Sequence, residues 1–188
     1  MENREQFLEE FFSDKEGSFE LIRELTDYVS YYQRMLERLE RDTLTGLYGN
    51  NKFIDFKKEA ESRDGNIGVI FFDVNGLKTI NDTQGHKAGD TLIQKAAESI
   101  MITFGRSHAF RTGGDEFVVI LFNCTQEHID RLLSKWREEL AKLNDKDDGI
   151  HCSISAGFAI GEGKYSLDAA IKLADTRMYE EKRRMKGE

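Results

Sequence analysis

Apolar residues recur at alternating steps of three and four along Ile22, Leu25, Val29, Tyr32, Leu36 and Leu39, with charged residues between them. This is a heptad seam, too short to be stable as an isolated helix. It predicts a helix that either dimerises through the seam or packs on its own domain. Upstream, Phe7, Leu8, Phe11 and Phe12 form another helix stripe, and Gly17-Ser18 interrupts the pattern between the two. Asp42 to Asn50, with turn glycines at Gly46 and Gly49, breaks the helix. Asn50 or Asn51 then caps a helix carrying Phe53, Ile54 and Phe56, which Asp64-Gly65-Asn66 ends. Val69 to Phe72 is a continuous apolar run, the pattern of a buried central strand. Leu77, Lys78 and Ile80 predict a short helical turn ended by Asn81-Asp82. Gly85 to Asp90 reads as a polar loop leading to a helix with Leu92, Ile93, Ala96, Ala97, Ile100 and Met101.

Ala109-Phe110 and the run Phe117 to Phe122 flank Gly113-Gly114, which predicts a β-hairpin with both arms in a sheet. The glycines permit positive φ and leave room above the turn for something as large as a nucleotide. Thr125 caps a helix with Ile129, Leu132, Leu133, Trp136, Leu140 and Leu143, and Trp136 belongs to the core. Asn144 to Gly149 is an exposed turn. Cys152 to Ile160 alternates as a strand does, and Leu167, Ala170, Ile171, Ala174, Met178 and Tyr179 mark a last helix. The order predicts an α/β sandwich: a mainly antiparallel central sheet flanked by helices, with an N-terminal helical extension. The extension takes residues 1–41 and the domain residues 42–188.

Composition narrows the class. The chain has 188 residues, of which 39% are hydrophobic, enough for one core. A net charge of -8 argues against broad binding to nucleic acid or anionic membrane, so any phosphate site must be a local basic patch. Cys124 and Cys152 lie in apolar runs without metal-ligand spacing and read as reduced core residues. Without a secretory signal or a long apolar span, the expected location is cytoplasmic.

The chemistry gathers at two places. Asp73 ends the central strand, where ligands commonly bind in α/β folds, although an aspartate there also suits a helix cap. Asp115 and Glu116 follow the Gly-Gly turn and point to opposite faces if strand alternation holds; the alternative is a solvated acidic tip. If the two strands are neighbours, Asp73 and Asp115 share one or two hard cations such as Mg²⁺. The backbone N–H groups of Asn75, Gly76, Leu77 and Lys78 begin a helix and suit an anion. Lys78, Lys182 and Lys186 can neutralise outer phosphates. Asn81 and Asp90 offer an amide and a carboxylate that complement guanine, and the carboxylate rejects adenine, whose N1 is an acceptor.

Taken together, several motifs resemble the GGDEF family of diguanylate cyclases. They are Asp42-Thr43-Leu44-Thr45-Gly46-Leu47, Asp73-Val74-Asn75-Gly76-Leu77-Lys78, Asn81-Asp82 with Gly85-His86 and Gly89-Asp90, and Gly113 to Phe117. The resemblance spans Asp42 to Lys186. It implies a fold similar to the palm of class III adenylyl cyclases and polymerases, and a reaction joining two GTP into cyclic di-GMP with loss of two pyrophosphates. It implies Mg²⁺, or Mn²⁺ in its place, on Asp73, Asp115 and the Val74 carbonyl. Asp115 lies nearest the attacking hydroxyl, with Glu116 as the family's second acid. The guanine readers are Asn81 and Asp90, with His86 nearby, and Lys78, Lys182 and Lys186 serve the phosphates. Asp42 and Arg111 resemble a structural ion pair. A homodimer with one GTP per subunit and an upstream sensor partner are also implied, with neither nucleic acid nor membrane as partner. Four positions depart from the family: Lys186 where arginine is frequent, Leu77 where an aromatic residue is frequent, and Phe104 and Ser107 where an Arg-x-x-Asp product-inhibition site often stands. A catalytically silent GTP-binding module and a helix-mediated signalling adaptor are the competing readings.

Overall fold

The computed structural model describes residues 11, 15–60, 65–146, 149–162 and 166–187. Most of the first expected stripe, Phe7, Leu8 and Phe12, and the expected helix stop at Asp64 lie outside them. By its internal contacts the chain divides into one unit up to Leu39 and a second, Glu40–Glu188.

The first unit contains helix α1, Lys15–Leu39. It runs through Gly17-Ser18 without interruption. A single glycine costs a helix only about 1 kcal/mol, and its neighbours Glu16, Phe19, Glu20 and Leu21 sustain the turn. All six seam residues are exposed, from Ile22 at 48% to Leu39 at 72%.

The second unit is built on a four-stranded antiparallel sheet of order β2-β3-β1-β4, where β1 is Asn66–Val74, β2 Ala109–Arg111, β3 Glu116–Phe122 and β4 Ile154–Glu162. The apolar run of β1 takes the centre because it must be covered on both faces and both edges. Alternation sends Ile70, Phe72 and Val74 to one face, under α4 (His86–Phe104) and α5 (Gln126–Asn144). Ile67 and Val69 go to the other, under α2 (Asn50–Ala60) and α6 (Ser166–Lys186). Trp136 is fully buried on the first face, 4.8 Å from the Phe72 ring, and its Nε1 donates to Ser99 Oγ at 3.0 Å. Thr125 caps α5 by accepting from the His128 N–H. Both cysteines are free and buried, and burial pushes the Cys152 thiol up to about 12, which makes it inert.

Local details differ from the expectations. The Gly49 carbonyl accepts from the Phe53 N–H, so Asn50 is the first helical residue of α2 and not its cap. Helix α3 spans Leu77–Gln84, passing through Asn81-Asp82, and α4 starts at His86. Only Gly85 separates them. At φ 86 and ψ 165 it receives no helical continuation, while its N–H donates to Asn81 O and its carbonyl accepts from Ala88 and Gly89. The polar residues expected to form a loop are the exposed first turn of α4.

Part of each outer edge of the sheet is taken by other groups. Beside β2, the Tyr48 carbonyl accepts from the Arg111 N–H at 2.7 Å and the Tyr48 N–H reaches Ala109 O at 3.3 Å. Beside β4, side chains substitute for a neighbouring strand. Glu181 accepts from the Ala156 N–H, and Arg177 donates to Phe158 O at 2.7 Å. Just upstream, the Asn144 amide bonds both the N–H and the carbonyl of Cys152 at 2.8 Å each. Among the described residues no helix is long and apolar enough to cross a membrane.

Candidate active site

The site is assembled where β1 ends and the β2–β3 hairpin turns. Asp73 lies directly across the ladder from Glu116, and the Val74 N–H donates to the Asp115 carbonyl at 2.9 Å. Asp73 and Glu116, like Val69 and Val118, face α6. Gly157 explains how α6 can reach them: a Cβ there would lie 2.1 Å from Met178 N and 2.3 Å from Ala174 O. The helix backbone therefore sits directly on β4, and one turn beyond Met178 its Lys182 Nζ meets Asp73 Oδ1 at 2.6 Å.

Asp73 is 7% exposed. Burial pushes its carboxyl up; Lys182 and, more weakly, Lys186 pull it back, while Asp115 adds to the rise. Burial also raises Glu116, and the Asp115, Asp73 and Asp175 charges raise it further. Asp73 and Glu116 thus both feel the field of Asp115. Neither hairpin glycine has the positive φ expected of it. Gly113 lacks a side chain because the Glu116 carboxylate folds over it, with Oε2 2.6 Å from where a Cβ would stand; Gly114 faces open space. Arg111 ties the turn to the domain entry. It bonds both Asp42 oxygens at 3.0 and 3.2 Å and donates to Gly114 O at 2.7 Å. Burial alone would raise the Asp42 carboxyl, but bonds from Thr45 and Arg111, and the Arg111 charge, hold it below the usual range.

Two residues past Val74, Gly76 adopts a left-handed φ of 76 and α3 begins. Its first bond runs from the Ile80 N–H to the Gly76 carbonyl, so the N–H groups of Leu77, Lys78 and Thr79 have no helical partner. Asn75 differs from expectation. Its N–H is taken by Ser153 O at 2.8 Å, and its side-chain amide donates to Ser155 Oγ at 3.0 Å and Ser153 Oγ at 3.3 Å. It anchors the turn to β4 and does not offer that N–H to an anion. Lys78 is exposed on the first turn of α3, and Lys186 on the last turn of α6. Asn81 lies against Gly89 at the α3–α4 junction, with His86 and Asp90 exposed beside it.

Among the described residues, no three His, Cys, Asp or Glu side chains form a preformed metal cage. The donors at hand are carboxylate and carbonyl oxygens, and the buried Asp73 already carries a cationic partner. That set suits a hard divalent cation completed by substrate oxygens. The sequence reading missed Ser153, Ser155 and the buried Lys95, whose Nζ donates to Ile150 O at 2.6 Å. Small polar residues alternating at the start of a strand, Ser153-Ile154-Ser155, were the available signal for the first two.

A family model described as diguanylate cyclase, GGDEF domain, matches residues 39–188. The diguanylate cyclase DosC of Escherichia coli (strain K12) is 32% identical over 173 residues, which are 87% of this chain and 36% of that protein. The cyclic di-GMP phosphodiesterase PdeB of Shewanella oneidensis is 28% identical over 163 residues, 85% of this chain and 19% of that one. This chain thus spans about a third or less of the length of these curated relatives. Among solved structures, the coiled coil and GGDEF domain of DgcB from Caulobacter crescentus, in complex with c-di-GMP, superposes with a TM-score of 0.71 at 26% identity, covering 94% of each chain.

Proposed function

Starting from a chain that belongs to the GGDEF family, we propose that it is a diguanylate cyclase, acting as a homodimer with one GTP per subunit. The observation that best supports this is the meeting of Asp73, Asp115 and Glu116 at the end of β1, beside the unpartnered N–H groups of α3 and under Lys182. In this reading Leu77 and Lys78, behind Gly76, receive phosphate oxygens through backbone N–H groups. The Lys78, Lys182 and Lys186 ammonium groups balance the outer phosphates. Asn81 and Asp90, with His86 nearby, hold the guanine edge.

Asp73, Asp115 and the Val74 carbonyl would hold Mg²⁺ or Mn²⁺, which when bound lowers the pKa of the attacking hydroxyl and neutralises the leaving pyrophosphate. The 3′-oxygen of one GTP attacks the α-phosphorus of the GTP on the partner. An O–P bond forms, the α–β bridge breaks, and pyrophosphate leaves; the second half repeats the step in the opposite direction. In this reading the hydroxyl proton passes to the Asp115–Glu116 pair, with Asp115 nearest the attacking hydroxyl. In-line attack between two bound nucleotides needs two sites face to face about a two-fold axis.

The test is incubation with GTP and Mg²⁺, with products identified by mass spectrometry. Cyclic di-GMP should form, with specific activity rising with protein concentration and then saturating. Asp73→Asn and Asp115→Asn should each lose far more than tenfold, about 1.4 kcal/mol of barrier per factor of ten. GTP binding without any product, at every protein concentration, would instead assign the domain to the silent module. That reading draws support from the matching stretch in a relative named as a phosphodiesterase.

A further inference from the structure

Gly89 stands inside α4, where glycine costs about 1 kcal/mol relative to alanine. It has no positive φ to justify its presence. Its backbone is buried, and a Cβ would fall 2.0 Å from Asn81 Oδ1, 2.9 Å from Asn81 Cγ and 3.2 Å from Leu77 Cδ1. The vacancy is therefore filled by the Asn81 amide, on the neighbouring helix. The Asn81 backbone is held by the bond from the Gly85 N–H to its carbonyl, so a Cβ at Gly89 would have to be accommodated by turning the Asn81 side chain out of its place. Asp90, the next residue after Gly89, is exposed. The amide and the carboxylate come from two helices that meet where Asn81 rests on Gly89.

We infer that Gly89 is a positioning residue for base selection: by lacking a side chain it sets the spacing between the Asn81 amide and the Asp90 carboxylate, and so the fit to guanine. This rests on the reading of Asn81 and Asp90 as the guanine contacts. Gly89 touches no substrate itself. An added methyl drives the amide away from its place and spoils the spacing, while the phosphate contacts at the start of α3 remain.

The probes are 3′-deoxy-GTP and 3′-deoxy-ATP with Mg²⁺, which bind without turnover because they lack the attacking hydroxyl. Binding is measured by calorimetry on the full chain. Gly89→Ala should weaken 3′-deoxy-GTP about tenfold, the loss of roughly one good hydrogen bond, and leave 3′-deoxy-ATP unchanged. In an Asn81→Ala background, where only the milder approach to the Leu77 side chain is left, Gly89→Ala should cause little further loss. This double variant also keeps the test open if Gly89→Ala alone unfolds. An equal loss for both nucleotides, an unchanged guanine preference, or effects of the two substitutions that simply add would each overturn the inference. If Asn81→Ala alone leaves the guanine preference intact, the base-reading assignment fails, and the inference falls with it.

Discussion

Glu116 and Asp42 have opposite charge environments, and their contributions to stability should run in opposite directions with pH. Glu116 binds its proton more tightly in the fold than in the unfolded chain, because burial and the nearby Asp115 and Asp73 carboxylates disfavour its anion. The native state then holds more protons, and stability falls as pH rises from the unfolded toward the folded value. At neutral pH Glu116 is therefore a cost, and Glu116→Gln should raise Tm. The group is partly exposed, so the gain should be at most about 1 kcal/mol, or roughly 2–4 °C for a chain of this size. It should vanish below about pH 4, where the ordinary glutamate is protonated too. Asp42 is the reverse. Its lowered pKa contributes stability above the unfolded value that disappears as acid protonates it. Asp42→Asn should lower Tm at neutral pH, by about 1–3 kcal/mol of lost charged hydrogen bonding, and cost much less in acid. Thermal unfolding across pH reads both; parallel profiles for the two variants would contradict these assignments.

At the level of elements, the close seat of α6 on β4 controls the site. Gly157→Ala would drive a Cβ into the backbone at Ala174 and Met178, which cannot move aside as a side chain can. The helix must lift, at a cost of about 3 kcal/mol or more, and Lys182 lifts with it. Tm should fall by roughly 6 °C or more, and at temperatures where the variant is still folded its turnover should fall as well. Full activity in a folded Gly157→Ala variant would mean that α6 does not set the lysine. Such a contact is hard to read from sequence. The alternation and apolar runs that announce β1, β3 and α5 are local, and those elements stand where the pattern puts them. The α3–α4 pair reads as a short helical turn and a polar loop because its exposed polar face carries no periodic signal and Gly85 resembles a loop residue. Asn75 binds Ser155 across 80 residues of chain and Lys182 reaches Asp73 across 109. Pairings of that range follow from how helices and strands stack, so the residues could be nominated from the family resemblance but their partners could not. The hairpin shows the same limit: Asp115 and Glu116 were legible as a pair, yet only the register reveals that Glu116 is the one opposite Asp73.

For the whole molecule, the proposed reaction requires two copies to meet with their nucleotides facing, and both sheet edges carry groups that stand in the way of pairing edge to edge. Part of what another chain would seek along β2 and β4 is already taken, by the Tyr48 backbone on one side and by Arg177 and Glu181 on the other, with Asn144 holding Cys152 just upstream of β4. Sheet edges left open tend to recruit further strands. Those few side chains therefore act as a guard against fibrous aggregation, independent of any role in turnover. Arg177→Ala combined with Glu181→Ala should leave far-UV circular dichroism nearly unchanged while shortening the lag before turbidity and thioflavin binding rise in a shaken, concentrated solution. A double variant that stays clear as long as the parent would show that the protection lies elsewhere.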